Sequence, residues 1–194
     1  IVLHITRYND EQLIVDLLTE LAGCVTMMVR ISRSKRAAVR HSLFQPLALL
    51  EMEWDERPRA NFQRPKAVQV AVPFCSLPFD AAKSCIALFL AEVLHHSVRN
   101  EPDARLLYNY IARSVEWLDT CTQGYANFHL VFLLHLAHFL GFMPNVEEAA
   151  PGDYFDLRAA CFVPPKPPQR YVQPASQAPV ETTTKRRRLE TMRY

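Results

Sequence analysis

The sequence predicts a multi-domain α+β chain, with a five-stranded β-barrel first and a helical domain after it. Three observations lead there. The first 75 residues hold five apolar runs with strand-like spacing, the prolines of residues 73–78 interrupt the pattern, and beyond Asp80 the apolar residues recur at helical spacing. The chain has 194 residues and is 49% hydrophobic, which supplies core material for one large domain or two small ones and excludes disorder along the whole length.

The strands follow in order. Residues 1–8 alternate, with Ile1, Leu3 and Ile5 on one face and His4 and Thr6 on the other, as in a half-buried strand. Residues 13–18 form a second β-like run and residues 24–31 a third, with Gly23 at the hairpin turn between them. Residues 47–54 place Leu50, Met52 and Trp54 opposite Glu51 and Glu53, and residues 66–72 place Val68, Val70 and Val72 on one face. A basic segment and a short helix around residues 37–43 separate the third strand from the fourth. Five strands with one irregular insertion after the third match the order of an OB-fold barrel, and an SH3-like barrel fits the strand count as well. Closure would remove the exposed edges such strands otherwise carry.

Past the prolines, Asp80 is a good N-cap. Ile86, Phe89, Leu90, Val93 and Leu94 form the stripe of a first helix. A second starts near Asp103, with Leu107, Ile111, Val115 and Leu118 as its stripe. A third spans residues 127–140 and is apolar nearly all round, the mark of a buried central helix, and Gly141 and Pro144 end it. The predicted layout is a barrel over residues 1–75, a helical bundle domain over residues 80–162, a Pro-rich linker or loop over residues 163–184, and the start of a C-terminal helix over residues 185–194.

Charge is unevenly spread. Residues 1–79 carry ten basic and eight acidic groups, residues 80–163 five and ten, and residues 164–194 seven and two. Residues 30–41 hold Arg30, Arg33, Lys35, Arg36 and Arg40 and no carboxylate. An unpaired cationic patch of this density on a small β-domain suits phosphate, since each neutralised phosphate releases counterion. OB-folds bind nucleic acid across strands two and three and the loops between strands one and two and between strands four and five. The predicted loop between strands four and five carries Arg57, Arg59 and Arg64 around Phe62, and arginines beside an aromatic ring suit single strands, whose bases stack on rings and guanidinium planes. The eight basic residues are the candidate nucleic-acid-binding set. A solvated basic loop with no ligand is the competing reading.

Other chemistry is missing from the sequence. There is no G-x-S-x-G elbow, no cysteine beside an activating partner, and, with four glycines, no phosphate-cradling loop of the Walker or Rossmann type. Catalytic residues and cofactors are therefore not expected. His135 and His138 lie about 60° apart on a helix and His129 on the opposite side, so the three do not share one ion, and no metal site is expected. Five scattered cysteines, Cys24, Cys75, Cys85, Cys121 and Cys161, read as reduced thiols of a cytoplasmic protein. The opening residues lack the charged n-region of a signal peptide, and the longest apolar run, residues 130–140, is too short to span a bilayer. The run KRRR at residues 185–188 resembles a nuclear-localisation signal, but reads more simply as the exposed start of a basic helix.

The stretches IVLHITRYNDEQLIVDLLTELAG, RSKRAAVRHSLFQPLALLE, LFLAEVL and HLAHFLGFMPN resemble the bacterial recombination mediator RecO family. Thr19, Glu20 and Gly23 match its T-E-x-x-G strand end, Gln45 and Pro46 its Q-P before strand four, and Leu140, Gly141, Phe142 and Pro144 its L-G-[FY]-x-P. The resemblance covers roughly residues 1–162. It implies an OB-fold followed by a helical domain, in a protein of recombinational DNA repair without catalytic turnover. It also implies binding of single- and double-stranded DNA, annealing of complementary strands, engagement of the acidic C-terminal tail of single-stranded-DNA-binding protein, and cooperation with RecR in loading RecA. Arg33, Lys35 and Arg36 occupy the family's basic turn. Some members hold a four-cysteine zinc site after the L-G-x-x-P motif, where this chain offers only Cys161, so zinc is not expected. Members carry further helix beyond the point where this chain stops. From the residues alone, an OB-fold protein–protein adaptor and an RNA-binding factor stay open as alternatives.

Overall fold

A computed structural model describes residues 1–31, 41–98, 104–141, 143, 153–156, 161–164 and 172–174. Residues 1–130 and residues 131–194 form two compact units.

The first unit opens with an antiparallel meander of β1 (Val2–Arg7), β2 (Gln12–Thr19) and β3 (Gly23–Arg30). Leu13, Val15 and Leu17 of β2 alternate with Ile14 and Asp16, and pair across to Val29, Met27 and Val25 of β3. Gly23 turns the chain with φ 63°, a left-handed conformation open to glycine at little cost, and the Thr19 hydroxyl closes the turn by donating to the Gly23 carbonyl at 2.8 Å. The strict alternation expected at the start of β1 fails. The register slips between Val2 and His4, so Val2 shares the core with Ile5 while Leu3 is buried elsewhere, beside His95.

A second, two-stranded sheet pairs β4 (Leu50–Trp54) with β5 (Pro65–Val70). As expected, Leu50, Met52 and Trp54 turn inward and Glu51 and Glu53 outward. Val68 packs inward too, but Val70 is 45% exposed. Both sheets contribute to one core of Val2, Leu13, Val15, Leu17, Met27, Val29, Phe44 and Leu50. The continuous five-stranded barrel expected from the sequence is not what the ladders form: the sheets have three strands and two. They meet through short stretches of backbone bonding. Leu47 N–H donates to Val2 O (2.8 Å) and Val2 N–H to Ala48 O (3.1 Å), while Met28 N–H donates to Gln63 O (2.9 Å) and Gln63 N–H to Thr26 O (3.0 Å).

The turn before β4 explains the Gln45–Pro46 pair. Ala48 N–H donates to Gln45 O at 2.9 Å, with Pro46 and Leu47 between, and Leu47 takes φ 61°. Proline followed by a positive φ is the geometry of a type II turn, whose third position glycine normally fills. Leu47 bears the strain because its side chain is fully buried and its backbone is bonded to β1. Of the short helix expected around residues 37–43, only a single 3₁₀ turn, His41–Leu43, falls among the described residues.

The first helix, α1 (Ala81–Ser97), is capped as expected: Asp80 Oδ1 accepts from Ala82 N–H (2.9 Å) and Lys83 N–H (3.1 Å). Its buried face is rotated from the expected stripe. It runs through Lys83, Ala87, Leu90, Ala91 and Leu94, while Phe89 is 46% exposed. Leu90 and Leu94 of the expected stripe are buried and Ile86 and Val93 half-buried, but the face turns toward Ala87 and Ala91, whose small side chains carry little apolar signal. In α2 (Ala104–Thr120) the expected stripe of Leu107, Ile111, Val115 and Leu118 is buried throughout.

The third helix, α3 (Phe128–Phe139), starts in the first unit and continues into the second. It buries Phe128, Phe132 and Leu136, but Leu130 and Phe139 are 50% and 40% exposed, so an all-apolar helix here is not buried all round. Gly141, at φ 72°, ends it. The second unit then adds a sheet the sequence reading did not foresee, ordered β7–β6–β8 from β6 (Tyr154–Asp156), β7 (Cys161–Val163) and β8 (Val172–Pro174). The strand β6 falls in the stretch expected to be helical, β8 in the expected linker, and β7 across the boundary between them. At three residues each, they are shorter than any periodicity window detects. The expected helix over residues 185–194 lies outside the described residues. Among the described residues no helix is long and apolar enough to cross a membrane.

Candidate nucleic-acid interface

Of the eight basic residues singled out, four are described. Arg33, Lys35, Arg36 and Arg40 lie outside the described residues. Arg30 ends β3, and Arg57, Arg59 and Arg64 sit in the loop between β4 and β5, all four exposed to solvent. Their positions are set by backbone geometry. Gln63 clamps the loop: its amide oxygen accepts from Arg57 N–H at 2.9 Å, and its amide nitrogen donates to Arg57 O at 3.0 Å. Ala60 N–H donates to Arg57 O at 3.0 Å, which folds residues 57–60 into a turn. Because the Gln63 backbone is also bonded to Thr26 and Met28, one residue ties the arginine loop to β3.

The arginines fall into two groups. Arg30 and Arg64, from different elements, line one open cleft of about 580 Å³ together with Asn9, Asp10, Glu11, Gln12 and Met28. Arg57 and Arg59 flank Pro58 and Ala60 around a shallower hollow of about 470 Å³. Phe62, the ring expected beside them, is half-buried.

The patch is not free of carboxylates in space. Arg30 Nη2 contacts Glu11 Oε2 at 2.9 Å, and Arg7 Nη2 contacts Asp10 Oδ1 at 2.5 Å. Lys66 Nζ lies 2.7 Å from Asp55 Oδ1, and that hydrogen bond and charge raise the lysine's pKa. The carboxylates sit outside residues 30–41 in sequence, so counting within that window could not find them. Gln63 carried no sequence signal at all.

Histidines converge where they were not expected to. The His4 and His95 rings stack with centroids 4.5 Å apart, His96 meets His95 edge-on at 5.0 Å, and Glu92 lies 3.0 Å from His96 Nε2 and 3.7 Å from His4 Nδ1. Among the described residues, no group of three or more His, Cys, Asp or Glu is arranged to hold a metal ion.

A buried polar network at the β5–α1 connection also escaped the sequence reading. Asp119, at the C-terminal end of α2, accepts backbone N–H bonds from Cys75 (2.8 Å), Ser76 (2.8 Å) and Leu77 (2.7 Å). Buried Lys83 donates to Ser76 Oγ (2.6 Å), Asp119 O (2.9 Å) and Cys121 O (2.7 Å), and Ser76 Oγ donates to Asp119 O. Burial pushes the Asp119 pKa up, but the three amides and the Lys83 charge outweigh it and hold the carboxyl below its ordinary range. Tyr125 donates to Asp80 Oδ2 at 3.0 Å, which raises the phenol's pKa and, after the Lys83 amide, helps lower that of the cap. Every partner is satisfied within the network, which fits a clip between segments.

Comparison with known proteins identifies this assembly. The family model "Recombination protein O N terminal" matches residues 1–74, and "Recombination protein O C terminal" matches residues 78–159. The chain belongs to the RecO family. A protein named DNA repair protein RecO from Bacteroides fragilis is 48% identical over 176 residues, which span 90% of this chain and 73% of that protein. The RecO protein of Phocaeicola vulgatus is 44% identical over 86% of this chain and 69% of its own length, and that of Flavobacterium psychrophilum 33% identical over 84% and 68%. The N-terminal RecO match takes in both small sheets and all eight candidate basic residues, and the C-terminal match takes in the three helices and β6.

Proposed function

We propose that this chain is a DNA-binding recombination mediator in DNA repair, acting by holding strands rather than by catalytic turnover. Its five N-terminal strands work as an OB-fold over residues 1–75, with the Val2–Ala48 and Met28–Gln63 bonds standing in for the seams of a closed barrel. Arg30, Arg57, Arg59 and Arg64, joined by Arg33, Lys35, Arg36 and Arg40 of the basic segment, neutralise phosphates of single- and double-stranded DNA. Screening the repulsion between two strands on one cationic face lets complementary strands anneal. The more acidic span of residues 80–162 serves protein partners: RecR, RecA, and the acidic C-terminal tail of single-stranded-DNA-binding protein, in the cytoplasm of a bacterium. The observation that carries the DNA-binding reading is the cleft shared by Arg30 and Arg64, which brings charge from β3 and from the β4–β5 loop onto one surface.

The test is a salt series. Replacing Arg57, Arg59 and Arg64 together by Ala removes up to three phosphate contacts, so the slope of log affinity against log salt for a single-stranded oligonucleotide should become shallower by about 2, at about 0.7 per phosphate. The triple replacement of Arg33, Lys35 and Arg36 should act the same way. Unchanged affinity and slope in both variants would refute the proposal and favour a protein adaptor.

A further inference from the structure

The cleft that holds Arg30 and Arg64 also holds two carboxylates, Asp10 and Glu11, at the tip of the β1–β2 turn. Glu11 is paired with Arg30, Asp10 with Arg7, and both pairs stand in solvent, with the Arg30 and Glu11 side chains 79% and 65% exposed. Glu11 is well anchored. Its N–H donates to Asn9 Oδ1 at 2.9 Å, its carbonyl accepts from Ile31 N–H at 2.7 Å, and Asn9 Nδ2 donates to Gln12 Oε1 at 3.0 Å. The turn is therefore fastened to Ile31, at the start of the basic segment, and the carboxylate is presented where β3 ends.

A guanidinium takes a carboxylate oxygen and a phosphate oxygen in the same way, as charge-assisted acceptors. An exposed pair of this kind is weak and screened by salt, so a dense polyanion can displace it. We propose that Glu11 is a displaceable counterion of the DNA-binding face. In the free protein it occupies the place on Arg30 that a backbone phosphate takes in the complex, and binding exchanges one acceptor for the other. Asp10 stands in the same relation to Arg7. The cost is affinity, because each phosphate that reaches Arg30 must first release an intramolecular anion, which then stays close by as an uncompensated charge. The return is discrimination: a strand of closely spaced phosphates competes for Arg30 far better than an isolated anion does. This inference rests on the DNA-binding reading above.

The experiment uses fluorescence anisotropy with a labelled oligothymidylate and a labelled duplex, over a range of sodium chloride, on the whole chain and on Glu11→Gln, Arg30→Ala and the double variant. Glu11→Gln should bind about two- to fivefold more tightly near physiological salt, and its salt slope should steepen by about 0.7 on the single strand as Arg30 becomes free to neutralise a phosphate. Arg30→Ala should bind more weakly, and the double variant should match Arg30→Ala. If Glu11→Gln binds like the parent or more weakly while Arg30→Ala is impaired, Glu11 is no counterion and the inference falls. It falls equally if the gain survives in the double variant, since the exchange then does not run through Arg30. If the parent chain binds neither oligonucleotide, the DNA-binding reading itself is overturned, and the counterion with it.

Discussion

Replacing Asp119 by Ala tests whether one carboxylate clips the β5–α1 connection to α2. Asp119 accepts three backbone N–H bonds of 2.7–2.8 Å, from Cys75, Ser76 and Leu77. A hydrogen bond to a charged group contributes about 1.5–3 kcal/mol. Cys75 is exposed, so water can replace its bond, but Leu77 is buried and Ser76 half-buried. Two bonds therefore count nearly in full, and Asp119→Ala should lose about 3–5 kcal/mol in urea unfolding followed by far-UV circular dichroism. Asp119→Asn should lose less, about 2–3 kcal/mol, because one oxygen can still accept from Ser76 and Leu77 while the amide nitrogen opposes the Cys75 N–H. The pH dependence separates charge from shape. The folded carboxyl titrates below its ordinary range, so its stabilisation is complete above the unfolded value, near 4, and is lost as the pH falls through the folded value. The gap between parent and Asp119→Asn should therefore narrow below about pH 4. A loss under about 1 kcal/mol for Asp119→Ala, or a gap to Asn that ignores pH, would refute the reasoning.

Two further outcomes follow from the turns that place the strands. Leu47→Gly relieves a left-handed φ that costs leucine about 1–2 kcal/mol but deletes a fully buried side chain, so the same urea titration should show a net loss of about 1–3 kcal/mol, and a gain would mean that burial does not hold this turn. Gln63→Ala removes the clamp on Arg57 without removing charge, so DNA affinity should fall about two- to fivefold while the salt slope stays as in the parent, and a shallower slope would show that a phosphate contact had been lost instead.

How much of this was legible in the sequence depends on the range of each interaction. Period-two and period-3.6 patterns are local, so β2 and β3 emerged as strands, and β4 and α2 emerged with their faces correct. The failures share a cause. The slip at Val2–His4, the rotated face of α1 and the partial exposure of α3 each depend on what lies against the element, which the element's own residues do not encode. The Ala87 and Ala91 face of α1 is the clearest case, since small residues score low as core yet permit the closest packing. The strands β6, β7 and β8 failed for a different reason, being too short for any pattern to accumulate.

The candidate interface divides along the same line. Which residues carry positive charge can be read directly, and Arg30, Arg57, Arg59 and Arg64 are indeed exposed. Which of them are already neutralised cannot, because the partner arrives from another strand. Glu11 is 19 residues from Arg30 in the chain and reaches it only because β2 runs antiparallel to β3, with Gln12 opposite Arg30 in the register. A local count of residues 30–41 therefore overstates the free charge of the folded face. If the chain grips and releases DNA as proposed, that difference is functional. Affinity for phosphate rises with each unpaired cation, whereas the ability to exchange strands depends on how readily each cation lets go. Under the proposed exchange, the Glu11 carboxylate 2.9 Å from Arg30 supplies a competing acceptor at each release, and the acidic residues of the β1–β2 turn belong to the binding surface as much as the arginines do.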